Sequence, residues 1–254
     1  MTKLISENRL RKLNIIAGFL HLVQGIAVLI LSKDFTLPIS GSYLKFNPIS
    51  QSLEPTTQFL FNLSLPLLIA IFLFICASAH FTIATIYNKR YSSQLKQGIN
   101  AARWIEYSLS ASVMIVGIAL MVGIYDGMSL LMLFALVAIM NLLGLVMEVH
   151  NQTTKKTNWL SFIVGCLAGL IPWVVIAFYL WLGAANGSSA PTFVYWIFVS
   201  IFIFFNCFAI NMVLQYKKVG PWKNYLYGEL IYIVLSLVAK SLLAWQVFAG
   251  TLRP

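Results

Sequence analysis

Apolar and polar residues follow one another along this chain in long blocks, not in the short periods of a half-buried helix or strand. Seven runs of predominantly apolar residues cover about 12–32, 59–87, 92–124, 127–148, 158–182, 191–216 and 225–249. Each is long enough to cross the ~30 Å hydrocarbon core of a bilayer at ~1.5 Å per helical residue, so the pattern predicts seven membrane helices. An odd number of crossings puts the two termini on opposite sides. Residues 33–58, "KDFTLPISGSYLKFNPISQSLEPTTQ", form the one long connection. Alternation in "TLPIS" and "SYLKF" around a Gly-Ser pair predicts a small β-hairpin there. No repeat or low-complexity segment divides the chain, which reads as an all-α membrane protein with a single domain over 1–254.

Composition supports the blocks: 60% of residues are hydrophobic and 9% charged, where a soluble domain carries about 25% charged residues. The chain opens with the polar, basic "MTKLISENRLRK". The apolar run that follows is too long for a signal-peptide core and shows no obvious cleavage site, so it is expected to remain as a helix. Cys76, Cys166 and Cys207 all fall inside apolar runs, where cysteine packs as a small apolar residue, and no disulfide framework is expected.

The net charge of +10 does not point to nucleic acid, because the basic residues are spread over short connections between apolar runs. Thirteen of the seventeen Lys and Arg lie on one side of the predicted helices: Lys3, Arg9, Arg11 and Lys12; Lys89, Arg90, Lys96 and Arg103; Lys155 and Lys156; Lys217, Lys218 and Lys223. Lys33, Lys45 and Arg253 lie on the other. By the positive-inside rule the N-terminus is cytoplasmic and the C-terminus outside, as expected for a multi-pass protein of the cell membrane. One basic residue is left over, Lys240, in the middle of "IVLSLVAKSLLAWQVFAG".

An ammonium group at mid-membrane costs roughly 2.5–3.5 kcal/mol on insertion scales and is normally paired, facing a cavity, or functional. Snorkelling serves lysines near helix ends, whereas Lys240 lies about 15 residues, or roughly 22 Å, from the start of the seventh run. Desolvation favours the neutral amine, the form that condenses with an aldehyde to a Schiff base; once protonated, that imine needs an anion nearby. Glu7, Asp34, Glu54 and Asp126 fall in the tail or connections, and Glu148 and Glu229 near helix ends. Glu106, in "ARWIEYSLSASVM", remains; with a third helix starting just after Arg90 it lies about 15 residues deep, level with Lys240. The competing reading pairs Glu106 with Arg103, one turn away on the same face.

A seventh-helix lysine, a third-helix carboxylate with arginine three positions earlier, and the block "RWIEYSLSAS" resemble the retinal-binding microbial rhodopsins. The longer block "ARWIEYSLSASVMIVGIA" and the inverted topology resemble the heliorhodopsins over all seven helices. The resemblance implies a rhodopsin-like seven-helix bundle with all-trans retinal on Lys240 and Glu106 as counterion. Two positions that hold carboxylates in proton-pumping rhodopsins are Ser236 and Gly117 here. Ser236, one turn before Lys240, can hydrogen-bond near the imine but cannot trade protons as a carboxylate does. The lack of a carboxylate relay favours a light sensor over a pump.

The same resemblance implies a polar cavity on the cytoplasmic side of the chromophore, lined by His21, Gln24, His80, Asn100, Arg103 and Tyr107. A proton leaving the photoexcited Schiff base is held there, since histidine titrates near neutrality. A lone intramembrane histidine is also an ordinary satisfied core group, and His150 reads as solvated. For the polyene pocket the candidates are Tyr107, Ser110, Met140, Gly144, Pro172, Trp173 and Phe205. Gly144 would leave space for a ring and Pro172 would kink its helix, although both also occur in plain membrane-helix packing. "GCLAG", Gly165 to Gly169, permits close helix approach. Heliorhodopsins form dimers through the fourth and fifth helices with help from the outer loop, which implies a homodimer. Of the sequons at Asn62, Asn151 and Asn186, in a helix, a cytoplasmic loop and an outer loop, only the last is placed for glycosylation.

The leading expectation is therefore a retinal photoreceptor, not an enzyme, with an unknown signalling partner, a slow photocycle and no ion pumping. A light-driven or light-gated transporter with the same chromophore is the first alternative. A seven-helix membrane metal hydrolase is the second; only His21 and His80 are placed as ligands, and zinc enzymes typically use three.

Overall fold

The computed structural model describes residues 5–254; Lys3 of the basic N-terminal segment lies outside them. Helix α1 (Glu7–Leu31) leads into strands β1 (Thr36–Asn47) and β2 (Ser52–Ser64), then α2 (Leu65–Ala84) and the short α3 (Asn88–Lys96). Helices α4 (Ala101–Met121), α5 (Gly127–His150), α6 (Leu160–Ala185), α7 (Thr192–Tyr216) and α8 (Tyr225–Val247) follow, with a π-helical turn at Phe248–Leu252. Among the described residues, all these helices but α3 are long and apolar enough to cross a membrane, making seven such helices.

Helix starts are fixed by side-chain oxygens that accept otherwise unsatisfied backbone N–H groups. Ser64 accepts from Leu67, Asn100 from Arg103, Asp126 from Ser129 and Asn224 from Leu226. Two starts fall well after the hydropathy reading, whereas α1 begins before it, at Glu7. The second apolar run was placed from 59, but 59–64 belong to β2, whose apolar residues pair in the hairpin, and α2 begins where Pro66 occupies its first turn. The third run was placed from 92 as one helix. It is broken after Lys96 because Gly98 turns into the left-handed region (φ +71°), leaving α3 separate from α4.

The hairpin exists, but its turn is not at Gly41-Ser42. "TLPIS" and "SYLKF" lie on the same strand, β1, which pairs antiparallel with β2 from Thr36↔Ser64 to Asn47↔Ser52. The chain reverses at residues 48–51 instead. There Asn47 accepts from the Ile49 N–H, and Glu54 accepts from Ser50 Oγ at 2.6 Å and Asn47 Nδ2 at 2.9 Å. These hydrogen bonds hold the Glu54 carboxyl below its ordinary pKa. Asn62, read as helical, therefore lies in β2. An isolated two-stranded hairpin is marginal on its own, and this one is tied to the bundle at its base. Ile39 is buried in the core, the Ser40 N–H donates to the Tyr125 carbonyl, and the Lys33 N–H donates to the Leu252 carbonyl.

Helices adjacent in sequence pack side by side and α8 returns against α1, closing the bundle. The α6 and α7 backbones stand further apart. They are bridged by an aromatic fan in which Trp173 meets Phe198, Phe202 and Phe205 edge to face. Gly165 and Gly169 face Met140 of α5 within the same chain, so the GxxxG pattern serves an internal helix contact.

Asp126 caps α5 through the Ser129 N–H and Oγ, both at 2.8 Å, and these bonds lower its carboxyl pKa. A depressed pKa stabilises the fold above the unfolded value, and that contribution is lost as pH falls through the folded one. Asp126→Ala is expected to cost about 1 kcal/mol. In detergent melts the difference from the parent should shrink as pH drops below about 4.

Candidate functional site

Lys240 sits in the second half of α8 on a face that looks at α2 and α4. Its Nζ is 2.6 Å from Glu106 Oε1, with both side chains buried. Removing one partner of such a pair leaves an uncompensated charge at a cost of about 3–5 kcal/mol. The depth match expected from the sequence used the wrong helix start: α4 begins at Ala101, so Glu106 stands in its second turn. Glu106 is nevertheless deep because the N-cap of α4, Asn100, is itself buried (4% exposed). Helix α4 thus begins inside the bundle.

Four further side chains complete the surroundings of the pair. The Cys76 Sγ lies 3.0 Å from the same Glu106 oxygen and 2.9 Å from the Phe72 carbonyl. The Tyr107 ring presents its face to Lys240 Nζ at 4.9 Å, within cation-π range, while its hydroxyl donates to the Tyr232 carbonyl. Ser110 and Ser236 are buried, and among the described residues neither hydroxyl has a hydrogen-bond partner.

From Lys240 an apolar slot leads away between α4, α5 and α7. Two adjoining cavities, with about 420 Å³ and 510 Å³ of atom-free space including their openings, share Tyr107, Met140, Asn141, Phe205 and Phe208 as walls. The first ends at Lys240 and the second reaches Gly144 and Gly165. Of the residues expected to line a polyene pocket, Tyr107, Met140, Gly144 and Phe205 line this slot. Trp173 touches it through Phe205, and Pro172 is buried beside Trp173 without lining either cavity. The space left by the missing side chain of Gly144 is filled by the Trp104 indole and is not open for a ring.

The two histidines come together across α1 and α2. Their rings stack with centroids 5.6 Å apart, and His80 Nδ1 is 2.7 Å from Asn14 Oδ1. Both His21 nitrogens and His80 Nε2 are buried without a partner among the described residues. Among the described residues, no group of three His, Cys, Asp or Glu is arranged to hold a metal. Gln24 is not with them; its Oε1 accepts from Trp245 Nε1.

Arg103 does not pair with Glu106. It bridges two carboxylates that the sequence placed near helix ends and left without a role. Its guanidinium meets Glu148 at 2.5 Å and also binds Glu229, and both glutamates are 1% exposed. The Asn100 backbone N–H donates to Glu148 Oε2 at 2.8 Å, and Asn100 Nδ2 donates to Glu229 Oε2 at 2.7 Å. The guanidinium also stacks 3.8 Å from the centre of the Tyr232 ring. Asn14, His80, Asn100, Arg103 and Glu106 line one small cavity, so the two charged clusters share a polar interior on the basic side of the bundle.

Sequence reasoning missed Cys76, Asn14, Glu148, Glu229 and Tyr232. A usable signal existed for the glutamates. The chain has seven acidic residues, and Glu229 stands eleven positions, about three turns, before Lys240 on a similar face of its helix.

A family model described as Heliorhodopsin matches residues 10–252, nearly the whole chain. No curated protein matches it. Arg103→Leu strands Glu148 and Glu229 in the interior and is expected to lower stability by about 3–5 kcal/mol. Arg103→Leu combined with Glu148→Gln and Glu229→Gln should recover part of that loss, as read by thermal melts in detergent.

Proposed function

The chain belongs to the heliorhodopsin family of retinal-binding light sensors, and from that premise we propose that Lys240 carries all-trans retinal as a protonated Schiff base with Glu106 as its counterion. The observation that supports this reading is the 2.6 Å approach of Lys240 Nζ to Glu106 Oε1 at one end of an apolar, aromatic-walled slot. The residues present fit the group: a buried amine to bond an aldehyde, a carboxylate to balance the cation, and a narrow apolar channel for a polyene. Bound retinal supplies visible absorption and a light-driven change of double-bond geometry.

The other steps belong to the chain's own side chains. Glu106 holds positive charge on the Lys240 nitrogen, while Tyr107, Met140 and Phe205 exclude water from the slot. The partnerless hydroxyls of Ser110 and Ser236 are available to hydrogen-bond beside the nitrogen. A proton released there has the His21–His80 pair as its acceptor inside the protein. Asn100, Arg103, Glu148 and Glu229 form the polar wall of that interior. Ser236, one turn from Lys240 toward the basic end, stands where pumps carry a carboxylate, and with Gly117 at the other such position a proton has no carboxylate relay toward the hairpin side. Light then drives a slow internal proton shuttle and a conformational signal to a partner protein, without net transport.

The basic end is cytoplasmic under this reading, and the protein is a dimer through α5, α6 and the hairpin.

Membranes containing the chain are expected to develop a visible absorption band with all-trans retinal, and Lys240→Ala to abolish it. Colourless membranes despite good expression would overturn the reading. Glu106→Gln should move the band to longer wavelength, because without the carboxylate charge the ground-state cation is stabilised less. Illumination under voltage clamp should give no stationary photocurrent; a sustained current would favour transport.

A further inference from the structure

Cys76 is fully buried on α2, and its one thiol proton has two acceptors in reach. These are Glu106 Oε1 at 3.0 Å and the Phe72 carbonyl, one turn back on its own helix, at 2.9 Å. The Phe72 carbonyl already belongs to the helix ladder, so the second acceptor is a resting place any buried helical cysteine finds. The carboxylate is different: a charged acceptor strengthens a hydrogen bond roughly twofold over a neutral one. The thiol also meets the same oxygen that faces Lys240 Nζ. Sulfur is polarisable and a weak donor, so its bond to a carboxylate changes appreciably when the charge on that carboxylate changes.

We propose that Cys76 is a positioning residue for the Glu106 counterion, its thiol proton directed at Oε1 while the carboxylate is charged and turned toward the Phe72 carbonyl when that charge is neutralised. The proposal rests on the reading of Glu106 as counterion. The thiol keeps its proton throughout; only the acceptor changes. By drawing electron density from Oε1, the thiol weakens the field at the Lys240 nitrogen. It also holds the carboxylate on the α2 side of the pair, so that Oε1 stays in line with Nζ. Among the described residues, Cys76 Sγ and Lys240 Nζ are the side-chain groups hydrogen-bonded to Glu106 Oε1.

Two consequences separate this role from simple packing. Removing the donor concentrates negative charge on Glu106, which stabilises the ground-state cation, so Cys76→Ala is expected to shift the absorption band of the retinal-loaded protein to shorter wavelength. Cys76→Ser restores a donor of similar reach and should return the band to, or beyond, the parent position. In the parent, light-minus-dark infrared spectra should show a paired loss and gain in the S–H stretching window, absent from Cys76→Ser. A flat S–H window in the parent, or equal shifts in the alanine and serine variants, overturns the proposal. If Glu106→Gln leaves the band unmoved, the counterion reading fails with it. If Glu106→Gln shifts the band while Cys76→Ala does not, only the role of the thiol fails. The parent infrared measurement decides the matter even where a Cys76 variant forms no pigment.

Discussion

Charge balance in a medium without water is the constraint on which the rest of this structure depends. Lys240, Glu106, Arg103, Glu148 and Glu229 are all buried within membrane-spanning helices. An isolated ion there is expensive, so each must find its partner within the protein. The Lys240–Glu106 pair locks α8 to α4, and the Arg103 cluster locks α4 to α5 and α8. Helix α4 contributes to both, which explains why it is among the most buried of the seven and why its N-cap starts inside the bundle.

The same constraint shapes the site. The interior is divided along α4: on one side of Glu106 the slot is walled by aromatic and apolar side chains, on the other lie histidines, asparagines and the Arg103 cluster. A cation on Lys240 sits at the boundary between an apolar and a polar compartment. Under the proposed reading a proton leaving it finds its acceptors on the polar side, while the largely aromatic and apolar wall opposes its passage on the other. Such an asymmetry supports the proposed sensing without transport, since an internal shuttle needs a proton acceptor on one side of the nitrogen while a pump needs a path on both.

The hairpin obeys a different constraint. Its strands lie outside the bundle and expose many apolar side chains, among them Leu44, Phe46, Ile49 and Leu53. Only its base is fastened, through Ile39 and the backbone bonds to Tyr125 and Leu252. Prolines at 38 and 55 are tolerated because each strand of a two-stranded ribbon has a free edge.

Much of this was legible in the sequence because membrane burial is written in one dimension. Seven spans, the excess of basic residues on one side and the anomaly of Lys240 follow from hydropathy and charge, which act along the chain before any packing. The helix starts at 65 and 101 were not legible, because apolar residues fill a hairpin strand as readily as a span, and because the break at Gly98 depends on backbone geometry. Nor was the choice of partner for Arg103: spacing alone favoured Glu106, one turn away, whereas packing turned Arg103 toward Glu148 and Glu229 on neighbouring helices. Sequence determined which residues must be buried and which of them carry charge. Only the tertiary structure decided who pairs with whom, because pairing depends on how helices rotate and slide against one another, and hydropathy does not encode either.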